Sequence, residues 1–240
     1  MFENIVVFGS TGTIGKSLVE KITTKYPNAL IHACSSKQQS FENSNVREHQ
    51  VNYIDEQSLA FTKEQVASIS KTLDLIFVAT GMLHNKDIMP EKATKDLSAE
   101  NFLALYQANT IVPALIAKHF LPLLNRENRA VFAALSARVG SISDNQLGGW
   151  YAYRCAKAAL NMLIKNLSIE TSRRCPKSVV IGLHPGTVKT PLSAPFQKHA
   201  SSNRLFEPEF SAEALMNIIE TVQPKDTGKC IAWDGKEIMP

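Results

Sequence analysis

A short apolar strand that leads through a glycine-rich turn into a helix opens the chain. Residues 5–8 are Ile-Val-Val-Phe, glycines follow at Gly9, Gly12 and Gly15, and residues 16–25 have a helical pattern. A dinucleotide-binding turn requires this order, because the glycines allow a tight turn and a close approach to a pyrophosphate while the helix N-terminus offers free N–H groups. An ordinary glycine turn between two elements is the alternative interpretation.

The same alternation of strand and helix continues along the chain. Strand-like apolar segments lie at residues 29–34, 73–78, 130–135, 178–183 and 229–233, with helical segments between them. No repeat, linker or change of composition divides the 240 residues. We therefore predict an α/β fold with one domain over residues 1–240, a Rossmann-like doubly wound parallel sheet of about seven strands with helices on both faces.

Composition and charge narrow the classes of function. The net charge of +4 comes from 26 basic and 22 acidic residues, without a basic block of the kind that binds nucleic acid. The four cysteines form no Cys-x-x-Cys pair, which argues against a zinc site and against a disulfide framework. No apolar run approaches ~18 residues, and no export signal is evident. We expect a cytoplasmic protein with no metal, nucleic-acid or membrane partner.

Tyr153 and Lys157 lie four residues apart where apolar residues have the spacing of an amphipathic helix. A rise of about 1.5 Å per residue places both side chains on one face, roughly 6 Å apart. An ammonium near a phenol stabilises the phenolate, and bringing a phenol pKa of ~10 near neutrality needs roughly 4 kcal/mol. The spacing predicts an acid–base pair, although such a pair also occurs on many ordinary packed helices.

The second strand ends in Ser35-Ser36-Lys37 and not in an acidic residue. An Asp or Glu at this position would accept hydrogen bonds from the adenosine ribose and repel a 2′-phosphate, whereas two hydroxyls and an ammonium suit that phosphate. The residues favour NADP (NADPH) over NAD, with NAD still possible. A solvated polar loop is the other interpretation.

Two further features place functional groups beside the predicted sheet. Ala79-Thr80-Gly81 follows the buried strand 73–78, and small residues at this strand end leave room for a ligand in the crevice. Pro113 has no N–H for the carbonyl of Asn109, four residues earlier in a helix predicted over residues 98–124. We expect a kink at Asn109 and a free carbonyl there, which either suits a proton relay or merely improves packing.

Taken together, these residues resemble the short-chain dehydrogenase/reductase family over essentially the whole chain. The matches are the N-terminal glycine turn, Asn109, a serine after the fifth strand, Tyr153-x-x-x-Lys157 and the segment 185–190. Residues 136–145 and 148–154 resemble in particular the branch with the C-factor signalling proteins and the sniffer-type carbonyl reductases.

The resemblance implies a role for each matching residue. Tyr153 donates a proton to a carbonyl oxygen, Lys157 lowers the pKa of the phenol and holds the nicotinamide ribose, a serine hydroxyl orients the carbonyl, and Asn109 anchors a relay water. Asn52 lies near the adenine, and Val188 and Thr190 hold the carboxamide. The full set of implied cofactor-binding residues is Gly9, Thr11, Gly12, Thr13, Ile14, Gly15, Ser35, Ser36, Lys37, Asn52, Ala79, Thr80, Gly81, Tyr153, Lys157, Pro185, Gly186, Val188 and Thr190.

The chain departs from the family pattern in ways that leave alternatives open. The glycines are spaced Gly-x-x-Gly-x-x-Gly, as in the extended epimerase branch, and the usual Asn-Asn-Ala-Gly is replaced by residues 78–81. Ala137 occupies the usual place of the orienting serine, so Ser136 or Ser141 supplies the hydroxyl, and we choose Ser136.

The favoured function is NADP-dependent hydride transfer between the nicotinamide and a small carbonyl or alcohol substrate. A dinucleotide-binding signalling protein with little turnover is the alternative, and a sugar-nucleotide epimerase is disfavoured by the length of 240 residues. The long helices around Asn109 and Tyr153 carry apolar residues beyond what one sheet face covers. We therefore expect a homodimer or homotetramer.

Overall fold

The computed structural model describes residues 2–199 and 205–240. Its strands are β1 (Asn4–Phe8), β2 (Leu30–Ser35), β3 (Val46–Gln50), β4 (Leu75–Val78), β5 (Val131–Leu135), β6 (Val179–His184), β7 (Thr187–Val188), β8 (Leu205–Phe206), β9 (Cys230–Ala232) and β10 (Glu237–Ile238). Its α-helices are α1 (Thr13–Lys25), α2 (Glu56–Ile69), α3 (Ala99–Tyr106), α4 (Val112–Phe120), α5 (Tyr151–Arg174) and α6 (Pro208–Thr221).

The main sheet has the strand order β10-β9-β6-β5-β4-β1-β2-β3, and β7 and β8 form a separate two-stranded parallel sheet. The seven strands from β9 to β3 are parallel to their neighbours, and β10 pairs with β9 in the antiparallel sense. The predicted parallel sheet is confirmed, with β10 as an additional edge strand. The strand order reverses between β1 and β4, which opens a crevice at their carboxyl ends.

Helices cover both faces of the sheet, as predicted. One core cluster joins α1 and α6 to strand residues such as Val7 and Phe77, and the other joins α2, α4 and α5 to the neighbouring residues Phe8 and Ile76. Successive strand residues point to opposite faces, so both faces of the central strands are apolar. None of the described helices is long and apolar enough to cross a membrane.

The edge strand β3 lies in a stretch that the sequence analysis did not identify as a strand. Its sequence is Val-Arg-Glu-His-Gln, and within it Val46 and His49 are buried while the other three side chains are exposed. An edge strand has one neighbour and one covered face, so it tolerates the polar residues that hide it from an analysis based on apolar runs.

The helix predicted over residues 98–124 is interrupted around Asn109, as the position of Pro113 led us to expect. Helix α3 ends at Tyr106, residues 107–111 form a π-helical turn, and α4 begins at Val112. The N–H of Val112 donates to the carbonyl of Gln107, five residues earlier. The turn widens the helix beside the carboxyl end of β4, and Asn109 lies inside it, fully buried.

Candidate active site

Three adjoining cavities lie at the carboxyl ends of the parallel strands. The central cavity has a volume of 380 Å³, and the outer cavity of 420 Å³ shares Gly12, Ala79, Thr80 and Gly81 with it. A third cavity of 200 Å³, which we call the aromatic cavity, shares Tyr153 with the central one. The predicted residues that line the central cavity are Thr11, Gly12, Thr13, Ile14, Gly15, Lys37, Ala79, Thr80, Gly81, Ser136, Tyr153, Lys157, Pro185 and Thr190.

The glycine turn between β1 and α1 leaves an uncapped helix N-terminus at the central cavity. Gly9 has a φ of +80°, and a Cβ at Gly15 would lie 2.2 Å from the carbonyl oxygen of Gly9, so neither position accommodates a side chain. The N-cap residue of α1 is Gly12, and among the described residues no side chain caps this helix end. Its free N–H groups form a site for an anion such as a phosphate.

Tyr53, which the sequence analysis did not select, fixes this turn. The phenol oxygen of Tyr53 accepts a hydrogen bond from the N–H of Gly9 at 2.8 Å and donates to the carbonyl of Cys34 at 2.9 Å. The predicted neighbour Asn52 is exposed, and its side chain accepts a hydrogen bond from the N–H of Ile54. Tyr53 and Ile54, and not Asn52, line the outer cavity.

The three residues from Ser35, the last residue of β2, to Lys37 have different environments. The hydroxyl of Ser35 is buried and lies 2.6 Å from the hydroxyl of Thr11, and it accepts a hydrogen bond from the N–H of Lys37 at 3.1 Å. Ser36 and Lys37 are both exposed, but only Lys37 lines the central cavity. Ser35 thus joins the end of β2 to the glycine turn, and Lys37 brings a positive charge to the cavity.

Helix α5 places Tyr153 and Lys157 together, but their electrostatics differ from the prediction. The ammonium of Lys157 lies 5.8 Å from the centroid of the Tyr153 ring and donates to the carbonyl of Leu135 at 2.8 Å. Burial lowers the pKa of Lys157 to about 8, and it raises the pKa of the Tyr153 phenol above its ordinary value. The expected lowering of the Tyr153 pKa is wrong for this structure, because desolvation of the phenol dominates.

The buried amide of Asn109 binds the chain that follows β4. It donates to the carbonyls of Met82 at 2.7 Å and Leu105 at 2.9 Å, and its oxygen accepts from the N–H of Met82 at 3.2 Å. A Cβ at Gly81 would lie 3.0 Å from this oxygen and 3.6 Å from the Lys157 ammonium. Asn109 and Lys157 therefore flank the end of β4 from two helices.

The two candidate serines lie in different surroundings. Ser136 follows β5, lines both the central and the aromatic cavity, and donates to the side-chain oxygen of Asn161 at 2.6 Å. Ser141 is also buried, but its hydroxyl donates to the carbonyl of Met239 and accepts from the N–H of Asp144. Ser141 thus holds the C-terminal segment.

The segment after β6 forms the wall between the central and aromatic cavities. Pro185 and Thr190 line both, whereas Gly186 and Val188 line the aromatic cavity. The hydroxyl of Thr190 lies 3.4 Å from that of Ser193. All four predicted residues of this segment therefore lie at the crevice.

The aromatic cavity contains residues to which the sequence analysis gave no role. The ring centroids of Trp150 and Phe196 are 4.8 Å apart, and those of Trp150 and Tyr153 are 6.4 Å apart. Trp150 has a φ of +52°, and its N–H donates to the carbonyl of the buried Glu91 at 2.6 Å. His184 lies in the same cavity wall. The sequence did contain a signal for His184 as a residue of the crevice, since it lies at a strand end directly before Pro185.

A larger cavity of 540 Å³ lies at the opposite end of the sheet and has a structural character. The carboxylate of Asp74 accepts hydrogen bonds there from the N–H groups of Glu3 and Asn4, and Arg129 donates to the carbonyls of Ile219 and Val222. The polar groups of this cavity hold chain segments together. At the crevice, by contrast, the Tyr153 hydroxyl has no hydrogen-bond partner among the described residues.

A doubly wound sheet with a glycine turn at its switch point is the arrangement in which nucleotide-dependent oxidoreductases bind their cofactor. The sequence profile for short chain dehydrogenases matches residues 3–201. The chain belongs to this family, and it is an NAD(P)-dependent enzyme of the short-chain dehydrogenase/reductase type. The predicted family is confirmed.

Individual relatives agree with this assignment. An uncharacterized oxidoreductase of Schizosaccharomyces pombe is 25% identical over 95% of this chain and 94% of its own. The C-signal protein of Myxococcus xanthus is 30% identical over 61% of this chain and 82% of its own. The structure of an NADPH-bound carbonyl reductase from chicken fatty liver superposes with a TM-score of 0.86 at 21% identity, covering 99% of this chain and 94% of that one. The carbonyl reductase thus shares the fold of this chain, and the match to C-signal spans 61% of it.

Proposed function

We propose that the protein is an NADP-dependent reductase of small carbonyl compounds, or an alcohol dehydrogenase in the reverse direction. The observation that supports this most strongly is the position of the Tyr153 hydroxyl, which has no partner among the described residues. The residue lines both the central cavity, next to the glycine turn, and the aromatic cavity. A proton donor at this junction suits a reaction between a nucleotide on one side and a small molecule on the other.

The residues of the central and outer cavities fit a dinucleotide. The uncapped N-terminus of α1 suits the pyrophosphate, and the buried hydroxyl of Thr80 has no hydrogen-bond partner among the described residues. Lys37 supplies the positive charge that a 2′-phosphate needs, and the similar chicken carbonyl reductase binds NADPH. Lys157 is the proposed partner of the nicotinamide ribose, and Val188 and Thr190 those of the carboxamide. The bound cofactor supplies the hydride.

Tyr153 acts as the acid that protonates the developing alkoxide. Its raised pKa keeps the phenol protonated, but it also makes the phenol a weak acid unless a nearby charge stabilises the phenolate. Lys157, held by the carbonyl of Leu135, provides the positive charge that stabilises the phenolate once the proton has left. Asn109 is the proposed anchor of a relay water, and the rigid hydrogen bonds of its side chain keep this part of the helix in place.

Ser136 orients the carbonyl once its hydroxyl is released from Asn161. In the structure the hydroxyl donates to the Asn161 oxygen and has no second proton for a substrate. A half-turn of the Asn161 amide presents its NH₂ group to Ser136, and the serine then accepts from Asn161 and donates to the carbonyl. The amide loses little in this rotation, because its NH₂ group makes one long hydrogen bond of 3.5 Å to Gly140.

The test is oxidation of NADPH in the presence of a panel of aldehydes, ketones and quinones. Tyr153→Phe should lower turnover by roughly two to four orders of magnitude, the range for a positioned acid, with NADPH affinity little changed. Tyr151→Phe is the matched control, because Tyr151 begins the same helix and does not line the crevice. Retained turnover in Tyr153→Phe, or equal losses in both variants, would contradict the proposal.

A second candidate function follows from the similarity to C-signal, whose name denotes signalling. In this reading the protein binds NADP and signals by its nucleotide-bound conformation with little turnover. NADPH binding without reduction of any carbonyl in the panel would favour it. The Tyr153 hydroxyl, which has no partner among the described residues, favours the enzyme, since binding of the nucleotide alone gives no role to a proton donor there.

A further inference from the structure

Helix α5, which carries Tyr153 in its first turn, begins in an unfavourable way. Gly148, Gly149 and Trp150 follow one another with φ values of +64°, +64° and +52°. A left-handed backbone is unfavourable for a residue with a side chain, and an N-cap residue ordinarily has an extended backbone. Trp150 is the N-cap of α5, and its side chain makes no capping hydrogen bond. This helix end therefore relies on contacts from other parts of the chain.

Glu91 supplies two of these contacts. Its carbonyl oxygen accepts a hydrogen bond from the N–H of Trp150 at 2.6 Å, and its Oε2 atom accepts from the N–H of Ala152 at 3.2 Å. A capping box satisfies the N-cap N–H and one N–H of the first turn from within the helix. Here one residue, 61 positions before Ala152, satisfies both kinds of donor. The carboxylate also suits the positive end of the helix dipole.

The burial of this carboxylate is more than capping requires. Asp55 caps α2 by accepting a hydrogen bond from the N–H of Gln57 at 3.0 Å, and it does so while exposed to solvent. Glu91 is only 4% exposed. Because burying a carboxylate is costly unless hydrogen bonds compensate for the lost water, stability of α5 alone gives no reason to place the group inside.

Glu91 joins the first turn of α5 to the loop that follows β4. Met82 and Ile88 of this loop pack with Tyr153 in one apolar cluster, and Asn109 holds the start of the loop through its hydrogen bonds to Met82. The Tyr153 hydroxyl has no hydrogen-bond partner among the described residues. Its position therefore depends on the packing of the ring and on the course of the backbone, which Glu91 fixes from the same loop.

We propose that Glu91 is a positioning residue for the reaction, because its carboxylate fixes the first turn of α5 and thereby keeps Tyr153 where the central and aromatic cavities meet. This rests on the proposed function, in which Tyr153 is the proton donor. Glu91 itself lines neither cavity, so it acts through the backbone of α5 and not on the substrate.

Kinetics of three Glu91 variants test the proposal. Glu91→Ala removes the acceptor for the N–H of Ala152. It should lower kcat for the carbonyl compounds that the panel identifies by on the order of a hundredfold, the loss expected for a displacement of about 1 Å. NADPH affinity should stay unchanged. Glu91→Gln keeps an oxygen at the same reach and should retain most of the turnover.

Glu91→Asp keeps the charge but shortens the reach by one methylene, so it should lose turnover with Glu91→Gln as its counterpart. This milder variant decides the question even if Glu91→Ala does not fold. A kcat that is unchanged in Glu91→Asp and in any folded Glu91→Ala, or that falls equally in Glu91→Gln, would overturn the assignment.

Asp74→Ala is the matched control for a general loss of stability. Asp74 is 6% exposed, and its carboxylate accepts hydrogen bonds from the N–H groups of Glu3 and Asn4 at the opposite end of the sheet. Urea unfolding should show a lower stability for this variant, as for Glu91→Ala. The kcat of the folded protein should be nearly unchanged in Asp74→Ala alone.

Amide hydrogen exchange tests the same turn without turnover. Residues 150–157 should exchange faster in Glu91→Asp and Glu91→Ala than in the unmodified protein, whereas residues 165–174 of the same helix should not change. Asp74→Ala should leave the exchange of residues 150–157 as it is. Unchanged exchange of residues 150–157 in the Glu91 variants would overturn the assignment.

The two proposals fail separately. If the unmodified protein reduces no carbonyl compound in the panel, the proposed function is refuted, and hydrogen exchange alone decides whether Glu91 fixes the turn. If carbonyl compounds are reduced and Glu91→Asp keeps the full kcat, the function stands and the assignment of Glu91 is refuted.

Discussion

Replacing Lys157 by methionine separates the stability cost of a buried ammonium from its use in catalysis. The Lys157 side chain is 3% exposed, and burial lowers its pKa from 10.5 to about 8. Between these values the unfolded chain holds a proton that the folded protein has released. The stability of the protein therefore rises with pH in this window, and the full cost of burial is present below about pH 8.

The magnitude follows from the width of that window. Each pH unit corresponds to about 1.4 kcal/mol, so roughly 2.5 pH units correspond to about 3 kcal/mol. The free energy of unfolding of the unmodified protein minus that of Lys157→Met should rise by about 2 to 3 kcal/mol between pH 7 and pH 10. At pH 7 the variant no longer has the cost of a buried ammonium, but it also loses the hydrogen bond to the carbonyl of Leu135. That loss offsets about 1 to 3 kcal/mol of the stability gained. The pH dependence of the difference is for this reason a cleaner signal than its value at one pH.

Urea unfolding followed by the fluorescence of the two tryptophans measures this difference. Protein concentration is held fixed, because association would contribute to the apparent stability. Lys165→Met, which removes an exposed ammonium from the same helix, reports any pH dependence common to such substitutions. A difference that stays flat, or falls, between pH 7 and pH 10 would refute the reasoning. Lys157→Met should also lose carbonyl reduction, whatever its stability.

Three other predictions concern the cofactor, the serines and the assembly. NADPH should bind more tightly than NADH, and Lys37→Met should reduce the ratio of the NADPH affinity to the NADH affinity. Fluorescence titration measures both affinities. Equal affinities for the unmodified protein would contradict this prediction. Ser136→Ala should lower kcat/KM by about a hundredfold, as expected for one positioned donor, while Ser141→Ala should leave it nearly unchanged; the opposite order would exchange their roles. We expect a homodimer or homotetramer, because Leu103 on α3 and Met162 on α5 are 71% and 62% exposed. Light scattering that shows a 26.5 kDa monomer would contradict this prediction.

The sheet was predictable because apolar periodicity encodes it directly. Strands such as β1 and β4 are buried on both faces, so their sequences are continuous apolar runs. The edge strand β3 has a mixed pattern and was not identified, because only one of its faces is covered. The π-helical turn near Asn109 was predictable as an interruption, since a proline removes a helical donor wherever it occurs.

The site was predictable to the extent that chain topology alone determines it. Parallel strands end at the same edge, so residues after β1, β4, β5 and β6 had to meet there. Which atoms they contact depends on helix rotation and burial. The hydrogen bonds from Lys157 to Leu135 and from Ser136 to Asn161, and the dominance of desolvation at Tyr153, all arise from tertiary packing that the local sequence does not specify.

Three local departures from ordinary folding preferences lie around the same crevice. Trp150 has a left-handed backbone, which costs on the order of 1–3 kcal/mol for such a residue. Helix α5 buries the ammonium of Lys157, and a π-helical turn carries the buried Asn109. Each is unfavourable alone, and each presents a group to the end of β4 or to the wall beside Tyr153. Their common position at the crevice agrees with a site that is organised for chemistry at the expense of stability.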